Sequence, residues 1–306
     1  RNAADLEPLT LTRPAFALLC GQSSLADIQA RHFQASERAA VVRPRLAETA
    51  RLNAPGLAVN EFTYSDHGLV AVVNGRWLPP PGVVPDLSAP CVGVVGDEPA
   101  WAVVDAADFT ARTPDAVEEQ MGRWQAALPC REAGGRLFRH LWEIVSHNGD
   151  QITADEEAAD HKGERAKLWR QVCNLPLLSK LQTCSHILSG NPKADGAPPA
   201  VLPAVIGPRK RLRVHPSARI EPFVAVDLTN GPVVIGPGAV VTAFTRLEGP
   251  CVVGPRCRLQ AANVRAGTTL GPDCRVGGEV ECSILQGRSN KYHDGFLGHA
   301  YLGEWV

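Results

Sequence analysis

The sequence predicts two regions of different fold class, an α/β region followed by a parallel β-helix. Three observations support this: apolar runs alternate with helical patterns in the first part, apolar residues recur every six positions in the last third, and a Gly- and Pro-rich segment lies between them. At 306 residues the chain is long enough for two domains. We expect an α/β domain over residues 1–188, a linker over 189–204 and a β-helix over 205–306.

The first region reads as alternating strands and helices. Leu69–Val73 is an uninterrupted apolar run, which is typical of a buried parallel strand. Further strands are predicted at Cys91–Val95 and Trp101–Val104, and helices at Pro114–Ala127 and Ala158–Asn174. The segment Ser23–Ile28 reads as the start of a helix with a serine cap. This alternation favours a parallel sheet covered by helices.

The last region is organised by a six-residue repeat. The recurring apolar positions are Val214, Ile220, Val226, Ile235, Val241, Leu247, Val253, Leu259, Val264, Leu270 and Val276. Four residues after most of them comes a small or β-branched residue, and Gly or Pro often follows directly, as in Ile235-Gly236-Pro237. Neither a helix nor a simple strand has this period, whereas a parallel β-helix does. The alternative, a Val-rich β-sandwich, would alternate every two residues.

Composition narrows the function classes. A net charge of −1 gives no argument for a nucleic-acid partner. No apolar run reaches the length of a membrane span and no signal peptide is visible, while nine cysteines without a CxxC pair fit a reducing cytoplasm. We therefore expect a cytoplasmic protein without a membrane partner. The chain lacks an initiating Met and stops in what reads as the middle of a coil, so we also expect a fragment of a longer protein.

Several motifs resemble known families. The six-residue repeat resembles that of the hexapeptide acyltransferases, which implies a left-handed β-helix. Leu6–Pro14 resembles the opening motif of sugar-1-phosphate nucleotidyltransferases, and Val73–Pro79 falls where these enzymes carry a strand ending in Gly-Asp. With His147–Ile152 (HNG-x-Q-I) and Asn290–Val306 (NK-x-HDGFLGH-x-YLGEWV), the whole chain is similar to sugar nucleotidyltransferases related to GlmU. GlmU-type enzymes join an N-acetylglucosamine-1-phosphate uridyltransferase, with a Rossmann-like α/β fold, to a glucosamine-1-phosphate acetyltransferase.

The resemblance implies a phosphate site in the first domain. Arg13, Asn74 and Arg76 are the expected substrate-binding residues, since a guanidinium can bind phosphate bidentately; the alternative is that both arginines are solvated surface residues. Ala15 replaces a phosphate-contacting Lys, and Arg76 replaces the Asp that holds Mg²⁺ in these enzymes. Either Mg²⁺ binding has moved or the domain no longer transfers nucleotides. The candidate ligands are Asp66, Asp105 and Asp155.

The resemblance also implies an acyl-transfer site in the second domain. His293 matches the catalytic histidine, Arg265 an arginine that binds the sugar phosphate, and Lys291 the lysine before the histidine; Asn290, beside Lys291, is a further candidate. Transfer from a thioester to an amine needs a group that accepts the amine proton, and a His has a suitable pKa. Phe296 departs from the family's substrate-contacting Tyr. The alternative for His293 is an ordinary loop histidine.

Two function classes follow. The first is a GlmU-related transferase that acts on sugar phosphates or nucleotide sugars with acetyl-CoA or another acyl-CoA, as a homotrimer. The second is a non-catalytic protein that binds a sugar nucleotide and is trimerised by its β-helix. A zinc site on His293 and His299 is a weaker hypothesis, because zinc needs three protein ligands and His215 lies several coils away.

Overall fold

A computed structural model describes residues 5–61, 68–82, 85, 87–162 and 203–306. The chain forms two compact units: the N-terminal unit, Arg1–Leu18 with Ser23–Leu141, and the C-terminal unit, Leu19–Gln22 with Trp142–Val306. Nearly all of the expected linker, and the part of the predicted helix Ala158–Asn174 beyond Lys162, lie outside the described residues. The domain boundaries therefore stay a prediction.

The described residues of the N-terminal unit form three α-helices: Leu25–His32 (α1), Ala47–Asn53 (α2) and Pro114–Ala127 (α3). The Ser24 hydroxyl accepts a hydrogen bond from the Asp27 backbone N–H at 3.2 Å, so the predicted serine cap is confirmed. Thr113 caps α3 in the same way, and Pro114 stands at its first position, where a missing N–H costs nothing. The strands of the unit are Ser23–Ser24, Ala39–Ala40, Ala58–Val59, Leu69–Val73, Trp77–Leu78, Cys91–Val95, Glu98–Asp105, Cys130–Glu132 and Arg136–Leu137.

The main sheet of this unit is mixed, not parallel. Its strand order is Leu69–Val73, Glu98–Asp105, Cys91–Val95, Cys130–Glu132, and only the last pair is parallel. The expectation of a parallel sheet was wrong because Val95 pairs with Glu98 across a two-residue turn in which Gly96 has a φ of 60°. Such a turn makes an antiparallel hairpin. Leu69–Val73 is accordingly a partly exposed edge strand and not a buried one.

The C-terminal unit consists of parallel strands stacked in two sheets. In each repeat a first strand joins the six-stranded sheet, and a second and a third strand join the nine-stranded sheet. Val233 pairs with Cys251, three six-residue steps later, and Cys251 pairs in turn with Thr268. These parallel-strand sheets are consistent with the predicted β-helix.

The strands of the two sheets are short. The first strands are Leu212–Val214, Val233–Ile235, Cys251–Val253, Thr268–Leu270, Ile284–Gly287 and Tyr301–Glu304. The nine-stranded sheet contains Ala204–Ile206, Arg219–Ile220, Ala225–Asp227, Val240–Val241, Arg246–Glu248, Arg258–Val264, Arg275–Glu281, Asn290–Lys291 and Phe296–Gly298. Arg258–Val264 and Arg275–Glu281 each supply both a second and a third strand.

The predicted inward positions form the core of this unit. From Val226 to Val276 every recurring apolar residue is fully buried, and so are Ala239, Cys257 and Cys274 in the small-residue position. Ile220 is only partly buried and Val214 is 41 % exposed, because their strands stand at the ends of the two sheets. The phase of the repeat is therefore confirmed except at this end.

Helix Leu141–Lys162 (α4) packs in the C-terminal unit, where Ile152 contacts Val234 and Val252. A Cβ on Gly149 would lie 3.4 Å from Pro250 Cγ, so glycine allows the close approach. Among the described residues, no helix combines the length and the hydrophobicity that a membrane span requires.

Asn148 of α4 is fully buried and joins three segments of the C-terminal unit. Its amide donates to the Gly267 carbonyl and to the Thr269 hydroxyl, both at 2.9 Å, while its oxygen accepts from the Gly21 N–H at 2.7 Å. The HNG-x-Q-I motif thus has a packing role in this fold.

Candidate functional site

Two signature segments of the N-terminal unit are in contact. A Cβ on Gly75 would lie 3.3 Å from Phe16 Cβ and 3.4 Å from the Phe16 nitrogen, so the segment of Asn74 and Arg76 packs on the segment that follows Arg13. Arg13 is buried, with 7 % of its surface exposed. The sequence placed these two motifs in one site, and the structure brings them together.

Arg76 is held by groups of the protein itself. It is buried, donates to the Phe138 carbonyl at 2.9 Å and forms an ion pair with Glu98 at 3.2 Å. The exposed Arg139 reaches the other oxygen of Glu98 at 2.5 Å. Where the resemblance places a metal-binding carboxylate, this chain therefore has a cation that is already paired with Glu98, a carboxylate that it shares with Arg139.

Asn74 and Gln29 fix the backbone around this position. The Asn74 side-chain oxygen accepts from the Arg76 N–H at 3.1 Å. Gln29, buried on α1, donates to the carbonyls of Asn74 and Trp77 at 3.0 and 2.7 Å. Sequence reasoning missed Gln29, because one polar residue in a short helix carries no periodic signal.

His32, one turn after Gln29, lies in an aromatic cluster. Its ring makes edge contacts with Phe33 and Trp77 at centroid distances of 5.2 and 5.1 Å. Burial lowers the pKa of His32 to about 4, because a charged imidazolium loses hydration there. The imidazole is therefore neutral at physiological pH.

The structure describes two of the three candidate Mg²⁺ ligands. Asp66 lies outside them, and Asp105 is exposed at the end of its strand. Asp155 is buried, and its carboxylate accepts from the Gln22 N–H and the Gln151 amide, both at 2.9 Å. Within the part of the chain that the structure describes, no three His, Cys, Asp or Glu side chains cluster as metal ligands.

His293 lies on a loop between the strands Asn290–Lys291 and Phe296–Gly298. The ring is exposed and, among the described residues, has no hydrogen-bond partner. The loop itself is well held: the Lys291 ammonium donates to the Gly277 carbonyl at 2.9 Å and to the His293 carbonyl at 2.6 Å. The Tyr292 hydroxyl bonds to Gln260. Within the described part of the chain, neither Asp294 nor a carbonyl orients the histidine ring.

Arg265 lies among carboxylates. It forms ion pairs with Glu279 and Glu281 at 3.3 Å and with Glu248 at 3.7 Å. The attraction of Glu281 is the largest cause of its raised pKa. A phosphate at Arg265 would meet three negative groups, so the predicted phosphate contact faces competition within the chain.

The remaining candidates around the loop have structural surroundings. Asn290 is exposed, and its backbone N–H donates to the Val306 carbonyl at 2.7 Å. The exposed Phe296 ring lies over Gly298, where a Cβ would be 2.4 Å from it. His299 is exposed, with a φ of 50°. His215 bonds to Ser217 at 2.8 Å in a separate turn, and the described residues contain no three-ligand cluster for the hypothesised zinc.

The sequence of the N-terminal half matches a known protein family. A model of the sugar nucleotidyl transferase family matches residues 1–163, which is more than half of the 306-residue chain. The chain belongs to this family. A comparison with curated proteins finds no significant match. Family membership indicates a transferase with a nucleotidyltransferase-like domain whose substrates are sugar phosphates and nucleotides.

Proposed function

We propose that the protein is a GlmU-related transferase whose C-terminal unit is a left-handed β-helix that transfers an acyl group to a sugar phosphate or nucleotide sugar. In this proposal it is a cytoplasmic homotrimer. The observation that carries the proposal is the His293 loop. This loop interrupts the buried repeat and exposes the His293 imidazole to solvent. Lys291 holds the loop in place by donating hydrogen bonds to the Gly277 and His293 carbonyls.

The proposed step uses His293 as a general base. The amine of the acceptor attacks the thioester carbonyl of an acyl-CoA, so a C–N bond forms and the C–S bond breaks with its electron pair on sulfur. His293 takes the proton that the amine loses and returns it to the thiolate. A positioned base of this kind contributes about 10²–10⁴ in rate. Lys291 contributes by fixing the His293 backbone, because its ammonium bonds the carbonyl of that residue.

The N-terminal domain has the simpler proposed role of holding the phosphate of the sugar nucleotide, through Arg13 with support from Asn74 and Arg76. Mg²⁺ stays a prediction from the resemblance, and no step above depends on it. Because Arg76 is paired with Glu98, its part is to shape the segment that contacts Phe16.

Thiol release from acetyl-CoA, measured with a panel of amino-sugar phosphates, tests the acyl transfer. His293→Ala should lower kcat by roughly 10²-fold or more with little change in KM, as expected for a lost general base. His299→Ala is the matched control, since His299 is an exposed histidine on a loop of the same unit. Full activity of the His293 variant, or a larger loss in the control, would reject the assignment.

A non-catalytic sugar-nucleotide-binding protein is the second candidate. Two observations favour it: Arg76 stands where the resemblance places a metal ligand and is paired with Glu98, and Arg265 is surrounded by carboxylates. A screen of melting temperature with UDP-, GDP- and dTDP-sugars and acetyl-CoA separates the candidates, because a bound ligand stabilises the folded state. Stabilisation by a sugar nucleotide without any thiol release supports the binding protein.

A further inference from the structure

Arg258 and Arg275 form an unusual pair on the outer surface of the C-terminal unit. They are direct register partners on adjacent parallel strands, and both are exposed. The residues that follow them, Leu259 and Val276, are fully buried, so the alternation of the strand directs both arginines outward. Among the described residues, neither guanidinium has a hydrogen bond or an ion pair. The charge of Arg258 helps to lower the pKa of the Glu221 carboxyl, but it is the smallest of the causes.

Other arginines of this unit have carboxylate partners. The pairs, with their distances, are Arg213–Glu156 at 2.7 Å, Arg219–Glu221 at 2.6 Å, Arg246–Glu248 at 2.7 Å, Arg256–Asp273 at 2.7 Å and Arg288–Glu304 at 3.1 Å. Arg265 has three carboxylate partners. Six arginines of the unit are thus ion-paired. Arg211 instead donates to the carbonyls of Leu228 and Thr229, and among the described residues Arg209 has no ion pair. Arg258 and Arg275 differ from all of these because they are direct register partners.

Two like charges directly opposite each other on neighbouring strands are destabilising. Neighbouring strands lie about 4.8 Å apart, so the two guanidinium groups repel each other unless an anion lies between them. An anion that accepts hydrogen bonds from both would turn this repulsion into a binding site.

We propose that Arg258 and Arg275 bind a phosphate group of a small ligand. Two planar guanidinium groups supply paired N–H donors that match the several terminal oxygens of a phosphate. Asn290, the next register partner of Arg275, is exposed and can add a side-chain amide donor. This site goes beyond the proposed function, which uses neither arginine.

The size of the charged pair selects a small ligand. Across adjacent strands of the sheet, the register partners form a row in which the uncharged Val240 and Asn290 flank Arg258 and Arg275. The positive surface along this row is therefore only two residues long. A nucleic-acid backbone is bound by a longer series of cations. Asn290 also precedes His293 by three residues, which places Asn290 at most about 10 Å from the catalytic candidate at about 3.3 Å per residue. Arg275 and Arg258 lie one and two strand spacings of about 4.8 Å beyond Asn290. That spacing suits a phosphorylated substrate.

Titration calorimetry of the whole chain with inorganic pyrophosphate, at constant ionic strength, tests the proposal without any turnover. We expect saturable binding that Arg258→Gln and Arg275→Gln each weaken at least tenfold. Arg219→Gln removes the same charge from the same row, but its guanidinium is already paired with Glu221, so binding should change less than twofold. Failure of thiol release would not affect this result, because no acyl donor is present.

Melting temperature without pyrophosphate is the second measurement. Removing one of two repelling charges should leave the melting temperature of Arg258→Gln and Arg275→Gln equal to or above that of the wild type. A lower melting temperature than in Arg219→Gln would assign the pair a structural role and overturn the proposal. So would the absence of saturable binding in the wild type or unchanged binding in the two variants. A changed sedimentation coefficient of the two variants without ligand would assign the arginines to a contact between copies instead.

Discussion

The two units of this molecule are stabilised in different ways. In the C-terminal unit one inward position recurs, and residues such as Leu247, Val253 and Leu259 fill it with the same chemistry and complete burial. In the N-terminal unit the buried polar groups Arg76 and Gln29 each make contacts that occur once. In a repeated core, the spacing of apolar residues in the sequence determines which residues are buried. In a core with polar contacts that occur once, burial of each polar residue depends on its own hydrogen-bond or ion-pair partner.

The largest expected effect tests the periodic core. Val241→Asp places an unpaired carboxylate in a fully buried position and should cost more than about 4 kcal/mol, enough to prevent folding. Val240→Asp is the matched control, because it changes the neighbouring valine on the outward side, in register between Arg219 and Arg258. That variant should fold with a melting temperature at or above that of the wild type. The measurement is soluble yield followed by thermal unfolding, and equal behaviour of the two variants would show that the phase is wrong.

This contrast also explains what the sequence predicts. The six-residue period identifies the inward residues, and with them the outward neighbours that stack from coil to coil. The period also places the carboxylates around Arg265, because Glu248, Glu279 and Glu281 each stand beside an inward residue and therefore point outward. The repeat pattern could have predicted these partners, whereas motif comparison alone did not. The partner of Arg76 has no such signal, because Glu98 comes from an aperiodic hairpin whose position depends on the tertiary fold.

The second prediction concerns the single contacts of the N-terminal unit. Arg76→Ala leaves the Phe138 carbonyl without its donor and removes the buried partner of Glu98, which keeps Arg139, and should cost about 2–4 kcal/mol of unfolding free energy. Arg139→Ala removes the exposed partner of the same Glu98 and should cost about 0–1 kcal/mol. Denaturant unfolding of both variants measures the difference. If the two losses are similar, the buried pair does not dominate this unit.

The C-terminal unit also contains a buried polar residue whose contacts are not repeated from coil to coil, Asn148. Asn148→Ala removes hydrogen bonds to Gly21, Gly267 and Thr269 and leaves buried backbone groups unpaired, at a cost of about 2–3 kcal/mol. Ser146→Ala, on the exposed side of the same helix, should cost less than about 0.5 kcal/mol. Equal stability of the two variants in denaturant unfolding would mean that the stacked coils hold α4 without Asn148.

The smallest expected effect is a pH dependence that belongs to the N-terminal unit. The pKa of His32 is lowered to about 4 in the folded chain, below the ordinary value of about 6.5 in the unfolded chain. Between these values the unfolded chain binds more protons, so stability is fully present above pH 6.5 and falls as the pH drops toward 4. Because the ring is only half-buried, we expect a loss of about 1–2 kcal/mol of unfolding free energy, less than the full pKa shift would give.

His32→Phe keeps an aromatic ring against Trp77 and removes the titrating group, so the unfolding free energy of this variant should vary less over this pH range. The measurement is denaturant unfolding of wild type and variant at pH 7, 6, 5 and 4. Parallel curves for the two proteins would place the acid sensitivity in another group of the chain and leave the His32 imidazole without a role in stability.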